Sequence, residues 1–278
     1  MTPTVTGCPG SSGVIDTAES PTPVPQSRGR EQRARLRGVT RVLGAVLVAA
    51  GVLALVWVLV VWKWGDPVTG LYARYQQRAL ESEYRDLAGA YERRALPGVA
   101  GTSPAAKAPG ADTVLLGLRR EGARYRRGLD PGDPVGVIDV PRLGLHAVVV
   151  NGTGHGDLQR GPGRDLRTFV PGEGRLVYIA GHRTTYGAPL AHIDDLRPGD
   201  VVRVSLPYAQ FTYVVTGHRI VEADALSVLR PGGTEHLALQ ACHPRFFASE
   251  RYIADARLSR VSVRLGRDSW RTYVVRSA

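Results

Sequence analysis

The 278-residue chain contains two cysteines, Cys8 and Cys242. That number excludes a disulfide framework and any multi-cysteine zinc or iron–sulfur site. Cys242 closes the apolar run LALQAC and is followed by His243 and Pro244. A cysteine at a strand end is held by the sheet and open to solvent, which suits a nucleophile. The same residue type also serves as a small buried hydrophobe. A thiol nucleophile needs its thiolate favoured by a nearby imidazolium or guanidinium.

Seven histidines can supply the imidazole: His146, His155, His182, His192, His218, His236 and His243. His243 is adjacent to the cysteine, but consecutive strand residues point to opposite faces. His218 lies inside a strand pattern. His182 follows the apolar run LVYIAG and opens the polar loop HRTTYG, so it ends a strand as Cys242 does. Arg251 opens the run RYIADARL nine residues after Cys242, across the loop HPRFFASE. That spacing returns the strand antiparallel beside the cysteine strand, where a guanidinium can donate to an oxyanion. It cannot act as an acid. Taken singly, a histidine at a strand end or one arginine among 34 is an ordinary surface residue.

Metal chemistry has little support, because neither H-x-H, H-E-x-x-H nor paired-cysteine spacing occurs. Asp194, Asp195 and Asp200 lie close enough in sequence to touch a calcium ion. They read instead as surface residues of a helical turn and the closing residue of the turn RPGD. No phosphate-binding loop is present. The expectation is that no cofactor is needed, with calcium modulation unsupported.

The elements that must hold these residues begin near Asp133. Short β-type runs are separated by Gly/Pro turns: Val135–Val140, Ala147–Val150, Leu176–Ala180, Val201–Leu206, Phe211–Val221, Leu237–Cys242 and Arg251–Val263. Several are β-branched, and Phe211, Tyr213 and Val215 alternate at period 2. Helical turns are expected near Asp157–Arg160 and Leu190–Leu196. Residues 133–278 therefore read as an all-β barrel or sandwich.

Upstream, Val42 to Trp62 is an uncharged apolar run of 21 residues, long enough to cross a bilayer as a helix. It begins too late and ends in residues too bulky for a cleaved signal peptide. Arg28, Arg30, Arg33, Arg35, Arg37 and Arg41 precede it, opposed by Glu31, while Lys63 and Asp66 nearly cancel after it. The positive-inside rule then places the N-terminus in the cytoplasm and the rest outside. Cys8 and Cys242 fall on opposite sides of the membrane and cannot pair within one chain.

The expected organisation is a disordered cytoplasmic tail over 1–38, a signal anchor over 39–64, a stalk helix and linker over 65–132, and a β-domain over 133–278. The stalk helix should run from Pro67 to about Leu96, because Leu80, Tyr84, Leu87 and Tyr91 form a helical stripe. Residues 97–112 read as a flexible linker, and Thr113–Arg127 as a short helix packing on the adjoining β-domain. The net charge of +11 divides into +3, +4 and +4 over residues 1–62, 63–132 and 133–278. So even a spread, without an aromatic-rich basic stripe, argues against nucleic-acid binding.

Three segments together resemble the sortases, membrane-anchored cysteine transpeptidases of Gram-positive bacteria. They are VIDVPRLGLHAVVVNGTGHGDLQRGPG, LVYIAGHRTTYGAPLAHIDDLRPGD and LALQACHPRFFASERYIADARL. The match covers about Asp133 to Val263. It implies an eight-stranded closed β-barrel behind one transmembrane helix and a helical stalk. It also implies Cys242 as nucleophile, His182 as proton donor and acceptor, and Arg251 as stabiliser of oxyanion and substrate. The family motif T-L-x-T-C falls on Ala238 to Cys242, with alanine in place of both threonines. The run GHRTTYG, the arginine-rich composition and the anchor resemble class E, the actinobacterial sortases.

Such an enzyme would cleave an LPxTG- or LAxTG-type signal of a secreted protein between Thr and Gly and pass the acyl group to a cell-wall or pilin amine. Two alternatives use the same sequence differently. An anchored cysteine hydrolase would let water resolve the thioester, and a degenerate sortase-like domain would keep only the barrel.

Overall fold

The computed structural model describes residues 27–64, 67–93, 110–264 and 270–275. By its internal packing the chain divides into two units, with the boundary between Trp57 and Val58. The first helix, α1 (Ser27–Trp64), holds the apolar run. Among the described residues it is the one helix long and apolar enough to cross a membrane. That stretch is Arg37–Val60, with mean hydropathy 2.8 and no part of it buried. The tail expected to be unstructured to residue 38 is helical from Ser27 onward. The composition of this stretch explains the difference, since Arg, Glu, Gln, Ala and Leu are strong helix formers. Residues 1–26 lie outside the described ones, as does most of the expected linker.

In the second unit, α2 (Pro67–Arg93) begins with proline at its first position, where the missing N–H is not needed. This is the expected stalk helix, and it packs along the barrel. Leu80 is fully buried against Val148 and Val150, with Tyr84 beside it, and Leu87 and Tyr91 pack on the main core. Gln77 reaches into the barrel wall. Its amide donates to the Val148 and Arg160 carbonyls and its oxygen accepts from the Val148 N–H. The same stripe that forms the helix thus docks it, which is how most helices of this length gain stability. Helix α3 (Ala111–Arg127) buries Val114, Leu118 and Tyr125, and the Tyr125 hydroxyl donates to the Val135 carbonyl at 2.7 Å.

The β-domain contains β1 (Pro134–Val140), β2 (Leu145–Asn151), a short α4 (His155–Arg160), β3 (Gly163–Arg164) and β4 (Leu176–Ala180). After these come β5 (Val201–Ser205), β6 (Ala209–Glu222), β7 (His236–His243), β8 (Glu250–Arg264) and β9 (Trp270–Val274). Strand order is β6-β5-β1-β2-β3-β4-β7-β8-β9, and a β6–β8 pairing closes the first eight into a barrel. The closing ladder is long, from Ala209 opposite Val263 to Glu222 opposite Glu250. Closure removes the exposed edges an open sheet would leave. Strand β9 lies outside the ring, paired to the end of β8.

Alternation sorts side chains between two cores. Val177 and Ile179 of β4, Leu237, Leu239 and Ala241 of β7, and Tyr252, Ala254 and Ala256 of β8 fill the barrel interior. Their neighbours Leu176, Tyr178, Ala180, Ala238 and Ile253 form a second cluster on the outer face. That outer cluster is roofed by Leu158, by Val221 of β6, and by Val228 and Leu229 of the β6–β7 connection.

Candidate active site

The β4–β7 pair is parallel and sets the level of the site. Ala180 is the partner of Gln240, and the Gly181 N–H donates to the Gln240 carbonyl at 2.9 Å. Two residues further along each segment stand His182 and Cys242, level with each other and with the parity of the outer face. On the other side of β7, β8 runs antiparallel, and Arg251 is the register partner of Cys242. Directly opposed residues of one face carry Cβ atoms roughly 5 Å apart. Cysteine and arginine thus occupy one rung of β7 and β8, and the histidine follows the end of the adjacent β4.

All three line one cleft of about 270 Å³ on the outer face of the barrel. Its lining includes the apolar Leu158, Val221, Leu226, Val228 and Leu229 and the polar Asp165, Arg167 and Tyr178. Cys242 is a half-buried free thiol; Cys8 lies outside the described residues. Burial raises Asp165, but hydrogen bonds and charge from Arg167 outweigh it and hold the carboxyl below its usual range. The two side chains are joined by contacts of 2.9 and 2.7 Å.

His182 is half-buried, and its Nε2 is a buried atom without a hydrogen-bond partner among the described residues. Desolvation, with a smaller push from His155, lowers its pKa below 6.5. The ring lies 5.2 Å from that of Tyr186. Arg251 is anchored from behind, since its Nη1 donates to the carbonyls of Ala248 at 2.7 Å and Glu250 at 2.9 Å.

His243 belongs elsewhere. It is the partner of Glu250 in the ladder, and its ring lies 6.1 Å from that of Tyr252, whose side chain faces the interior. The neighbouring His218 stacks on Tyr252 at 4.9 Å. Strand parity separates His243 from the cleft.

Arg183 lies in the run GHRTTYG, but nothing in the sequence assigns it a role. Its side chain is 2% exposed and pairs with Asp194 at 2.6 Å. Its Nη1 donates to the Cys242 carbonyl at 3.2 Å and contacts His243 Nδ1 at 3.1 Å. A guanidinium with several donors in one plane can tie separate segments together. Here it ties the histidine loop to the end of the cysteine strand. Of the acidic residues considered for calcium, Asp194 pairs with Arg183 at 2.6 Å, Asp195 lies 3.8 Å from His192, and Asp200 accepts from the Arg197 N–H at 2.8 Å.

Ala238 and Ala241, which replace the motif threonines, are both fully buried, one in the outer cluster and one in the interior. Neither lines the cleft. The replacements therefore change packing behind the site and leave its lining as Gln240 and Cys242.

A thiol, an imidazole and a guanidinium line one cleft of a closed barrel, the set of groups that thiol-nucleophile chemistry uses. Residues 138–259 match the family described as Sortase domain. It is 30% identical over 128 residues to Sortase D of Bacillus subtilis (strain 168), covering 45% of this chain and 63% of the relative. It is 27% identical over 148 residues to Sortase SrtE1 of Streptomyces coelicolor, covering 48% and 42%. The chain thus spans less than two thirds of the length of either relative. Among solved structures, sortase E from Streptomyces avermitilis aligns over 48% of this chain and 92% of its own, with 32% identity and a TM-score of 0.43.

Proposed function

We propose that the chain is a membrane-anchored cysteine transpeptidase acting on a C-terminal LPxTG- or LAxTG-type sorting signal. The observation that carries this reading is the convergence of His182 with the Cys242–Arg251 register pair on one cleft. The Cys242 sulfur attacks the threonine carbonyl carbon, and its proton passes to His182. Arg251 donates to the oxyanion that forms. The Thr–Gly C–N bond breaks, and His182 returns the proton to the leaving glycine amine. The thioester is then attacked by an amine nitrogen, which loses a proton to His182 as the thiolate departs. The acceptor would be a cell-wall precursor or a pilin lysine. The peptide bond's energy is kept in the thioester, so the step needs no cofactor. The resemblance to class E favours the alanine-containing signal.

The apolar run Val42–Trp62 would hold the chain in the cell membrane, N-terminus inside and barrel outside, where secreted substrates and wall precursors meet it. The deciding experiment is mass spectrometry of the full chain in detergent, incubated with a sorting-signal peptide with and without an amine acceptor. An acyl adduct on Cys242, released as an amide when the amine is present, supports the reading. An adduct released only as free acid would make the protein a hydrolase. Absence of any adduct would leave only a sortase-like scaffold.

A further inference from the structure

The loop carrying His182 has an unusual backbone. Tyr186, Gly187 and Ala188 are consecutive left-handed residues, with φ of 50°, 74° and 44°. Glycine adopts this region freely, but tyrosine and alanine do so only where the surroundings impose it. The surroundings here are the first turns of α2. The Tyr186 N–H donates to Thr69 Oγ1 at 2.8 Å. The ring of Tyr72 meets the Tyr186 ring edge-on at 6.3 Å. A Cβ on Gly187 would lie 3.3 Å from that of Ala73, a buried residue of α2, so helix and loop touch closely. On its other side the Tyr186 hydroxyl accepts from the Gln159 amide at 3.0 Å. Held from both directions, the Tyr186 ring lies against His182.

We propose that α2 is a positioning element for the reaction: through Thr69 and Tyr72 it fixes Tyr186, and Tyr186 fixes the plane and depth of the His182 imidazole. This rests on the role given to His182 above. It makes the helix after the candidate membrane span part of the catalytic framework. Misplacing a catalytic group by about an ångström can cost on the order of a hundredfold in rate. A helix contact that sets its place therefore acts on turnover more than on substrate affinity.

The test uses the full chain in detergent, with Thr69→Val, Thr69→Ser, Tyr72→Ala and Tyr186→Leu, and the double variant Tyr72→Ala/Tyr186→Leu. Two quantities are read: acylation kcat and KM with a sorting-signal peptide, and the imidazole resonances of His182 in isotope-labelled protein without substrate. Thr69→Val and Tyr72→Ala should each lower kcat by about tenfold with KM within about twofold, and move or broaden the His182 resonances. Thr69→Ser keeps the acceptor and should behave as wild type. The double variant should lose no more than the worse single, because both act through one contact. If the α2 variants leave kcat and the His182 resonances unchanged, or if the two losses multiply, the proposal is overturned. If the wild-type chain forms no acyl adduct, the functional reading fails instead, and the resonances alone decide whether α2 positions His182.

Discussion

Arg251 is the antiparallel register partner of Cys242, so their side chains leave the barrel on the same face from adjacent strands. The Arg251 guanidinium is steadied by the carbonyls of Ala248 and Glu250 rather than by a carboxylate. A cation held by neutral partners keeps its charge for an anion that forms in front of it.

From this arrangement, Arg251→Ala should lower acylation turnover by about 10²–10³, the usual cost of losing an oxyanion donor. Arg251→Lys should recover little, because one ammonium cannot both hold the loop carbonyls and reach the oxyanion. Steady-state kinetics on the two variants checks this. An Arg251→Ala enzyme within fivefold of wild type would remove Arg251 from the mechanism.

Two histidines separate sequence adjacency from spatial placement. His182→Ala should lower turnover by about 10² or more, since it removes the proton carrier. His243→Ala should stay within about tenfold, because that ring faces Arg183 and Tyr252, away from the cleft. Reversed results would put the catalytic face on the wrong side of the strand.

Burial lowers the pKa of His182, so the ring is mostly neutral at pH 7 and able to take the thiol proton. As pH falls through that lowered value the imidazole is occupied by a proton, and kcat/KM should fall with a midpoint below 6.5. The sign for stability is the same. Below 6.5 the unfolded chain binds the proton more readily than the folded one, so this group subtracts stability as pH drops and contributes nothing above. A pH–rate profile with its acid limb above 6.5 would contradict the assignment.

Arg183 links the histidine loop, the Cys242 carbonyl and Asp194. Arg183→Met removes the donor to the part-buried Cys242 carbonyl, and losing such a hydrogen bond costs about 1 kcal/mol or more. Asp194 is half exposed and can turn to water, so its share is small. The melting temperature should therefore drop by several degrees and turnover should fall with it. Asp194→Asn should change both much less. Equal losses in the two variants would mean that the ion pair, not the carbonyl bond, is what matters.

The residue pattern by itself determined the local elements. Short β-type runs between Gly/Pro turns located most of the strands, because a strand packed on a core must carry apolar residues. The stripe Leu80, Tyr84, Leu87 and Tyr91 located α2, and an uncharged run of 21 residues located the candidate span. Strand-end positions, with the family motifs, pointed to Cys242, His182 and Arg251. The two-residue β3 and the outlying β9 leave no such signal, being held by pairing rather than by periodicity. Tertiary structure decided what local pattern cannot encode. The parallel pairing of β4 with β7 brought His182 to the cleft of Cys242 across 60 residues of chain, and the direction of α2's stripe packed the expected stalk helix on the barrel. Burial made Arg183 a clamp among 34 arginines of the same type. A side chain's identity limits its chemistry, but its partners, exposure and charge come from segments distant in sequence, and only packing brings those together.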